Sequence, residues 1–442
     1  MSFLGEYSRD STPIFFLIGF LFLLLHDFLR AKVYLPFFTT PFSYFLLFIG
    51  AIFLSVIFNS INITDYFFKQ TSGWTRFLSQ FISIALAAFV FFYLSANVVK
   101  YYGARNSFLK IRKVMLISLW VVFIYGVFEF LITVFFMEFL RPIYNLFDYL
   151  PFTDAYINSY NRRISSVTFE PPALGMYLIT ISGFMFSYIS TEKKITRFFP
   201  LLMILFLMFT SKSRTALVVI LFQLVLFIYF TYVKNFRFRI FFNRVLVFGG
   251  IILSVILIYK NDVVYKTVEE RIDALNFIEN RSNKKSENAI SNKSRLGIQY
   301  ANWQVFKVFP ITGAGWGMQA YEAQKYYPEW AMHNNYEFRR VYLNENIKSF
   351  PPSYNLFIRT LSETGIIGFL TLSLFLFIVF FQNYSYYIRL PNYSYLTIVL
   401  FVCFIGYILN WFQIDSFRMY GFWICLAILM QLKHLKNEKD FI

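Results

Sequence analysis

Six arginines stand out by position: Arg162, Arg163, Arg214, Arg295, Arg339 and Arg340 all lie in connections between apolar runs. A guanidinium is a planar fork of donors that stays protonated and matches phosphate oxygens two at a time. Arg214 is the sharpest case. Ser211-Lys212-Ser213-Arg214-Thr215 is a very short hairpin at membrane depth, where charge is costly and usually functional. Any one of these arginines could instead pair with the ten acidic residues between 261 and 354, or with lipid headgroups. Glu170 precedes Pro171-Pro172. A carboxylate there either rests on a helix dipole or takes a proton from a hydroxyl. His333 is the lone histidine of its loop, with a suitable pKa for a base but an equally ordinary solvated role. Glu129 lies inside an apolar run, where an acid is a functional candidate or a paired structural group. Gly313-Ala314-Gly315-Trp316-Gly317 lacks the Lys-Ser/Thr of a phosphate loop and reads as a tight turn that lets Trp316 pack. No Ser–His–Asp set, metal-ligand cluster, Walker motif or aspartate-rich cation motif is present, so no metal and no cofactor is expected.

The elements that must position these groups are transmembrane helices. The chain has 442 residues, 58% hydrophobic and 15% charged, against about 25% charged in soluble domains. Backbone in hydrocarbon must bond internally, and no barrel alternation appears, so the chain is an all-α polytopic membrane protein. About eleven helices (10–12) are expected: 13–29, 41–59, 77–98, 114–138, 172–190, 198–211, 214–232, 245–260, 364–382, 394–411 and 418–432. The first apolar run has no basic leader and no small-residue cleavage site, so it reads as a helix and not a removed signal. The net charge of +17 follows helix ends and argues for no nucleic-acid partner. Cys403 and Cys425 sit in apolar runs, which excludes a disulfide framework.

Basic residues near helix ends divide into 18 on one set of loops and nine on the other, which makes the richer set cytoplasmic. The expected organisation is N-terminal transmembrane helices (1–138), an extracytoplasmic loop (139–171), central transmembrane helices (172–260), a large extracytoplasmic loop (261–354), C-terminal transmembrane helices (355–432) and a cytoplasmic tail (433–442). The large loop contains amphipathic patterns. Val264, Val268, Ile272, Leu275 and Ile278 form one, and Leu296, Tyr300, Trp303 and Phe306 another; both read as helices over the membrane surface or a cavity. The polar stretch 280–294 between them reads as mobile.

Four segments, in order, resemble the motifs of the bacterial O-antigen polymerase and ligase superfamily. They are Arg163-Ile-Ser-Ser-Val-Thr-Phe-Glu170-Pro171; Ser211-Lys-Ser-Arg214-Thr-Ala216; Ser294-Arg295-Leu-Gly, with Trp303 and Pro310-Ile-Thr-Gly313-Ala-Gly315 beyond it; and Tyr354-Asn355, leading to Glu363-Thr-Gly365-Ile-Ile-Gly368. The resemblance spans roughly 160–370. It implies a GT-C-like fold and a metal-independent, inverting glycosyltransferase in the bacterial inner membrane, its large loop periplasmic. The donor would be an undecaprenyl-diphosphate-linked oligosaccharide within the lipid bilayer, and a chain-length regulator protein would be a further partner. Carried over by position, Arg163, Arg214 and Arg295 would hold the diphosphate, with Arg162, Arg339 and Arg340 as further binding candidates. Ligases usually carry His-Asn where this chain has Tyr354-Asn355, which favours the Wzy-type repeat-unit polymerase over the ligase; a non-enzymatic flippase or exporter is the alternative from another class. Glu170, then His333, then Tyr354 are the candidate catalytic residues, Tyr354 being a poor base at an ordinary phenol pKa near 10.

Overall fold

A computed structural model describes residues 12–30, 34–146, 157, 163–168, 170–236, 238–243 and 287–435. Its longer helices are α1 (Thr12–Arg30), α2 (Phe42–Phe58), α3 (Gly73–Tyr102), α4 (Ala104–Phe135), α5 (Pro171–Thr191), α6 (Phe199–Ser211), α7 (Arg214–Lys234), α8 (Glu287–Val308), α9 (Leu356–Arg389), α10 (Ser394–Asn410) and α11 (Tyr420–Gln431). Among the described residues, six segments are long and apolar enough to cross a membrane: α3, α4, α5, α7, α9, and α10 with the turn before it. α1, α2, α6 and α11 are shorter apolar helices. The chain is a multi-pass membrane protein. Many large apolar side chains face outward along these helices, Phe22, Val225 and Phe377 among them, as lipid contact requires. The expected helix 245–260, the pattern at 264–278, Arg162 and residues 436–442 lie outside the described residues.

Three expectations are adjusted. Residues 287–294, expected to be mobile, form the first two turns of α8. That helix is amphipathic, but Ser294, Ile298, Ala301, Asn302 and Val305 make its buried face, while Tyr300 and Trp303 point outward. The apolar stripe was legible, but its inward side is built from small and polar residues that hydropathy underrates. Helix α9 starts at Leu356 and not at 364, because Asn355 caps it: its Oδ1 accepts from the Phe357 and Ile358 amides at 2.9 and 3.1 Å.

Helix α9 is broken at Gly365 (φ 63°). A Cβ there would stand 2.2 Å from the Ile311 carbonyl oxygen. The 310–317 loop plugs the break: the Ala314 and Gly315 amides donate to the Ser362 and Glu363 carbonyls at 2.9 and 3.0 Å, and the Ile366 amide donates to Pro310 at 2.9 Å. From α2, Ser55 Oγ and Asn59 Nδ2 donate to the Glu363 and Gly313 carbonyls at 2.6 and 2.8 Å. Irregular backbone at this depth survives because protein groups satisfy it. The glycine-rich run is therefore a structural plug, and Trp316 is buried within it.

On the same side, a two-residue hairpin (Phe67–Phe68 with Thr71–Ser72) presents Lys69. Its buried Nζ donates to the carbonyls of Val341, Asn344 and Ile347 at 2.6, 3.0 and 3.1 Å. This clamp ties the α2–α3 connection to the segment that precedes α9.

Candidate functional site

Each of the four recognised segments fastens itself by backbone and small polar groups; the first three each leave an arginine over, and the fourth leaves Tyr354.

In the first, the Glu129 carboxylate of α4 accepts from the Ser165 amide (3.2 Å to each oxygen) and the Ser166 amide (2.7 Å). Ser166, itself at φ 54°, donates from Oγ to the Val122 carbonyl at 2.7 Å. The buried acid is thus paired, and its partner is the loop that carries Arg163. Thr168 Oγ1 donates to the Ser165 carbonyl at 2.6 Å, closing the turn before Glu170. The Glu170 carbonyl begins α5 by accepting from Ala173 and Leu174, while its side chain makes no cap.

The second segment is the α6–α7 hairpin. Lys212 takes the left-handed conformation (φ 52°), and Ser213 Oγ caps the Ala216 amide at 3.5 Å. Helix α5 comes so close that a Cβ on Gly175 would lie 2.9 Å from Ser213 Oγ and 3.0 Å from the Ala216 Cβ. The hairpin also anchors the first segment: Arg163 Nε donates to the Ser211 carbonyl at 3.3 Å, and the Ile164 amide to Thr210 at 3.3 Å. Arg214 is left at the first position of α7. Thr215 Oγ1 donates to Gln413, in the α10–α11 connection.

In the third, Ser294 and Gly297 of α8 hold the large loop. Asn335 Nδ2 donates to Ser294 Oγ at 2.8 Å. A Cβ on Gly297 would come within 2.3 Å of Ala331. Arg295 stands between them with its guanidinium 5.0 Å from the Tyr354 ring centre. Its Nε is buried, with no hydrogen-bond partner among the described residues.

In the fourth, Tyr354 has φ 55°, a costly conformation for an aromatic residue. Gln299 Nε2, from α8, holds its carbonyl at 3.2 Å. The Ser353 amide donates to the Asp415 carboxylate.

These contacts bring Arg163, Arg214, Arg295, Glu170 and Tyr354 together. Partial burial lowers the Arg163 pKa; the charges of Arg214 and Arg295 lower it further, against the opposing pull of Glu170. Partial desolvation raises the Glu170 carboxyl above the ordinary glutamate range, outweighing the downward pull of Arg295 and Arg163. Among the described residues, none of the three arginines forms an ion pair. The amino termini of α5, α7 and α9 begin in these same segments, adding dipoles that favour an anion. Such a cluster is electrostatically costly when empty and suited to a ligand with more than one negative charge.

Other candidates lie apart. Arg339 and Arg340 are exposed on the turn Phe338–Tyr342, whose inward residues are Phe338 and Tyr342. His333 is exposed, its Nε2 3.0 Å from Asn334 Nδ2, and no recorded contact among the described residues joins it to the arginines. Sequence reading missed Tyr342, Glu337, Gln413 and Asp415. An acid in the short connection before α11 was a usable signal for Asp415; a tyrosine among 32 offered none for Tyr342.

A model of the O-antigen ligase family matches residues 199–373. The match supports the O-antigen polymerase and ligase superfamily and points to a glycosyltransferase-like enzyme activity. Arg214, Arg295 and Tyr354 fall inside the matched span; Arg163 and Glu170 precede it. No curated protein matches the chain.

Proposed function

Within that superfamily, we propose that this chain is a repeat-unit polysaccharide polymerase, joining oligosaccharides carried on a polyprenyl diphosphate at the outer face of the bacterial inner membrane. The observation that carries the reading is the cluster of Arg163, Arg214 and Arg295, free of ion pairs among the described residues, with Arg214 at the first position of the apolar helix α7. Three guanidiniums against Glu170 leave a net positive pocket that a diphosphate would neutralise. A hydroxyl of the incoming unit attacks the anomeric carbon of the growing chain, the bond to the phosphate oxygen breaks, and the lipid diphosphate leaves with the electron pair. Negative charge grows on the leaving oxygen, so donors already aimed there stabilise the transition state more than the ground state. In the empty site Glu170 serves as the counter-charge that the diphosphate displaces. Attack opposite the leaving group inverts the anomeric centre, and the reading needs neither metal nor nucleotide.

A ligase transferring finished polymer to lipid A core is the second reading, favoured by the description of the matched family. Tyr354, where ligases usually carry histidine, favours the polymerase. Deletion of the gene decides between them. A single repeat on the core is the polymerase outcome. Bare core with accumulated lipid-linked polymer means a ligase, and loss of every outer-face repeat unit means a flippase. The sidedness is tested separately: a cysteine near 285 should be labelled from outside, and one near 105 only after permeabilisation.

A further inference from the structure

An attacking hydroxyl must lose its proton, and the Tyr354 phenol lies beside the cluster, its ring centre 5.0 Å from the Arg295 guanidinium. Its oxygen lies 2.7 Å from that of Tyr342, and Tyr342 donates to the Glu337 carboxylate at 3.4 Å. A phenol has one proton. Either phenol can donate across the short contact; with Tyr342 donating to Glu337, the proton between the two rings comes from Tyr354, whose lone pairs then remain for a substrate hydroxyl. The chain is held at every link. Asn335, bonded to Ser294 beside Arg295, receives the Glu337 amide on Oδ1 at 3.0 Å. Lys69 fixes the Val341 carbonyl at 2.6 Å. Tyr354 is kept in its strained backbone conformation by Gln299. Tyr342 is buried, whereas Glu337 is partly exposed, so the chain runs from the site toward water.

We propose that Tyr354, Tyr342 and Glu337 form a proton relay that carries the acceptor hydroxyl's proton out of the diphosphate site, with Glu337 as its terminal base. This rests on the glycosyl-transfer reading above. As the bond between acceptor oxygen and anomeric carbon forms, the hydroxyl proton passes to the Tyr354 oxygen. The Tyr354 proton moves to Tyr342, and the Tyr342 proton to Glu337, which then releases it to solvent. The bond from the anomeric carbon to phosphate breaks in the same step. No free tyrosinate is needed. That matters because desolvation, the largest influence on both phenols, pushes Tyr354 and Tyr342 above the ordinary tyrosine value. It also separates the base from the anion: Glu170 lies among the arginines, where an arriving diphosphate would repel its charge, while Glu337 is two hydrogen bonds away.

Tyr342 and Glu337 act through Tyr354 and touch no substrate, so the test needs more than loss of activity. Purified full-length protein is assayed with lipid-linked repeat units for Tyr342→Phe, Glu337→Gln, Glu337→Asp and Glu170→Gln, with melting temperature measured for each. Tyr342→Phe and Glu337→Gln should lower kcat about 10²-fold or more, the lower end of what a positioned base contributes, with the donor KM unchanged. Glu337→Gln should also abolish the acidic limb of the kcat–pH profile, and Glu337→Asp should restore it in part. Wild-type kcat and pH profile in a folded Tyr342→Phe overturn the relay even if Glu337→Gln does not fold. So does an acidic limb lost in Glu170→Gln but kept in Glu337→Gln, which makes Glu170 the base. Arg214→Ala is the separate control: if it polymerises normally, the diphosphate reading itself fails.

Discussion

Arg359 and Arg214 both begin helices of the same protein, yet their surroundings are opposite. Arg359 is buried in the first turn of α9 with all its donor nitrogens engaged: Nε to Glu363 at 3.0 Å, Nη1 to the Asp415 carbonyl at 2.6 Å and Nη2 to Gln80 at 2.6 Å. Its face lies 4.7 Å from the Trp316 ring centre. Arg214 has no ion pair among the described residues and shares its surroundings with two further arginines. A saturated guanidinium is cross-linking: it ties α9, α3, the α10–α11 connection and the glycine-rich plug into one unit. A cluster left unsaturated has its donors available for a ligand. Arginine count alone separates nothing; the accounting of donors does.

Substitution should break the two regions differently. Arg359→Ala strands the buried Glu363 carboxylate, and losing one member of a buried pair costs about 3–5 kcal/mol. The variant should fail to accumulate, or melt far below the wild type by fluorescence-detected thermal unfolding in detergent. Arg214→Ala should leave the melting temperature unchanged, or raise it by relieving like-charge repulsion, while polymerisation falls by about 10²–10³-fold, the scale for losing one aimed donor. Equal destabilisation by the two substitutions would erase the distinction.

The next test sharpens the chemistry within the cluster. Arg163→Lys, Arg214→Lys and Arg295→Lys keep the charge but not the fork, so each should retain little activity in the lipid-linked assay. Lysine working as well as arginine at all three would reduce the cluster to a diffuse positive field.

Glu129 lies between the two classes, since it touches no substrate yet holds the Arg163 loop. Glu129→Ala leaves the Ser165 and Ser166 amides without their buried acceptor, at roughly 1–3 kcal/mol. Activity should fall with the loop's order, and amide hydrogen exchange across 163–168 should quicken. Unchanged exchange there would remove its positioning role.

The smallest effect concerns Glu170. It competes with a diphosphate for the arginines, and its pKa is raised, chiefly by desolvation. It is charged above that pKa and neutral below, so as pH falls through a point above the ordinary glutamate value, the competition disappears. Pyrophosphate binding to the wild type should therefore tighten on acidification more than binding to Glu170→Gln, with the two converging at low pH. Calorimetric titration across that range measures the difference, expected to be a few-fold. Parallel curves would mean that Glu170 does not face the anion.

The helices, the membrane and the suspicion attached to Glu129 and the arginines between apolar runs were all determined by the chain's local properties. A run of apolar residues long enough to span hydrocarbon admits only one backbone solution, and a charge beside it is costly wherever the chain later folds. Arg163, Arg214 and Arg295 were legible for that reason. What the residues could not reveal alone was which charges meet. Arg339 and Arg340 have the same chemistry, but the turn that carries them points Phe338 and Tyr342 inward and both guanidiniums out. Arg359 drew no attention in the sequence, because its partners Gln80 and Asp415 are 279 and 56 residues away. The convergence of the site depends on close approaches at Gly175 and Gly297, and Tyr342 acquires a role only through its hydrogen bonds to Tyr354 and Glu337. Hydropathy and charge act residue by residue, whereas saturation, strain and proton paths are properties of contacts, and only the packed chain makes those.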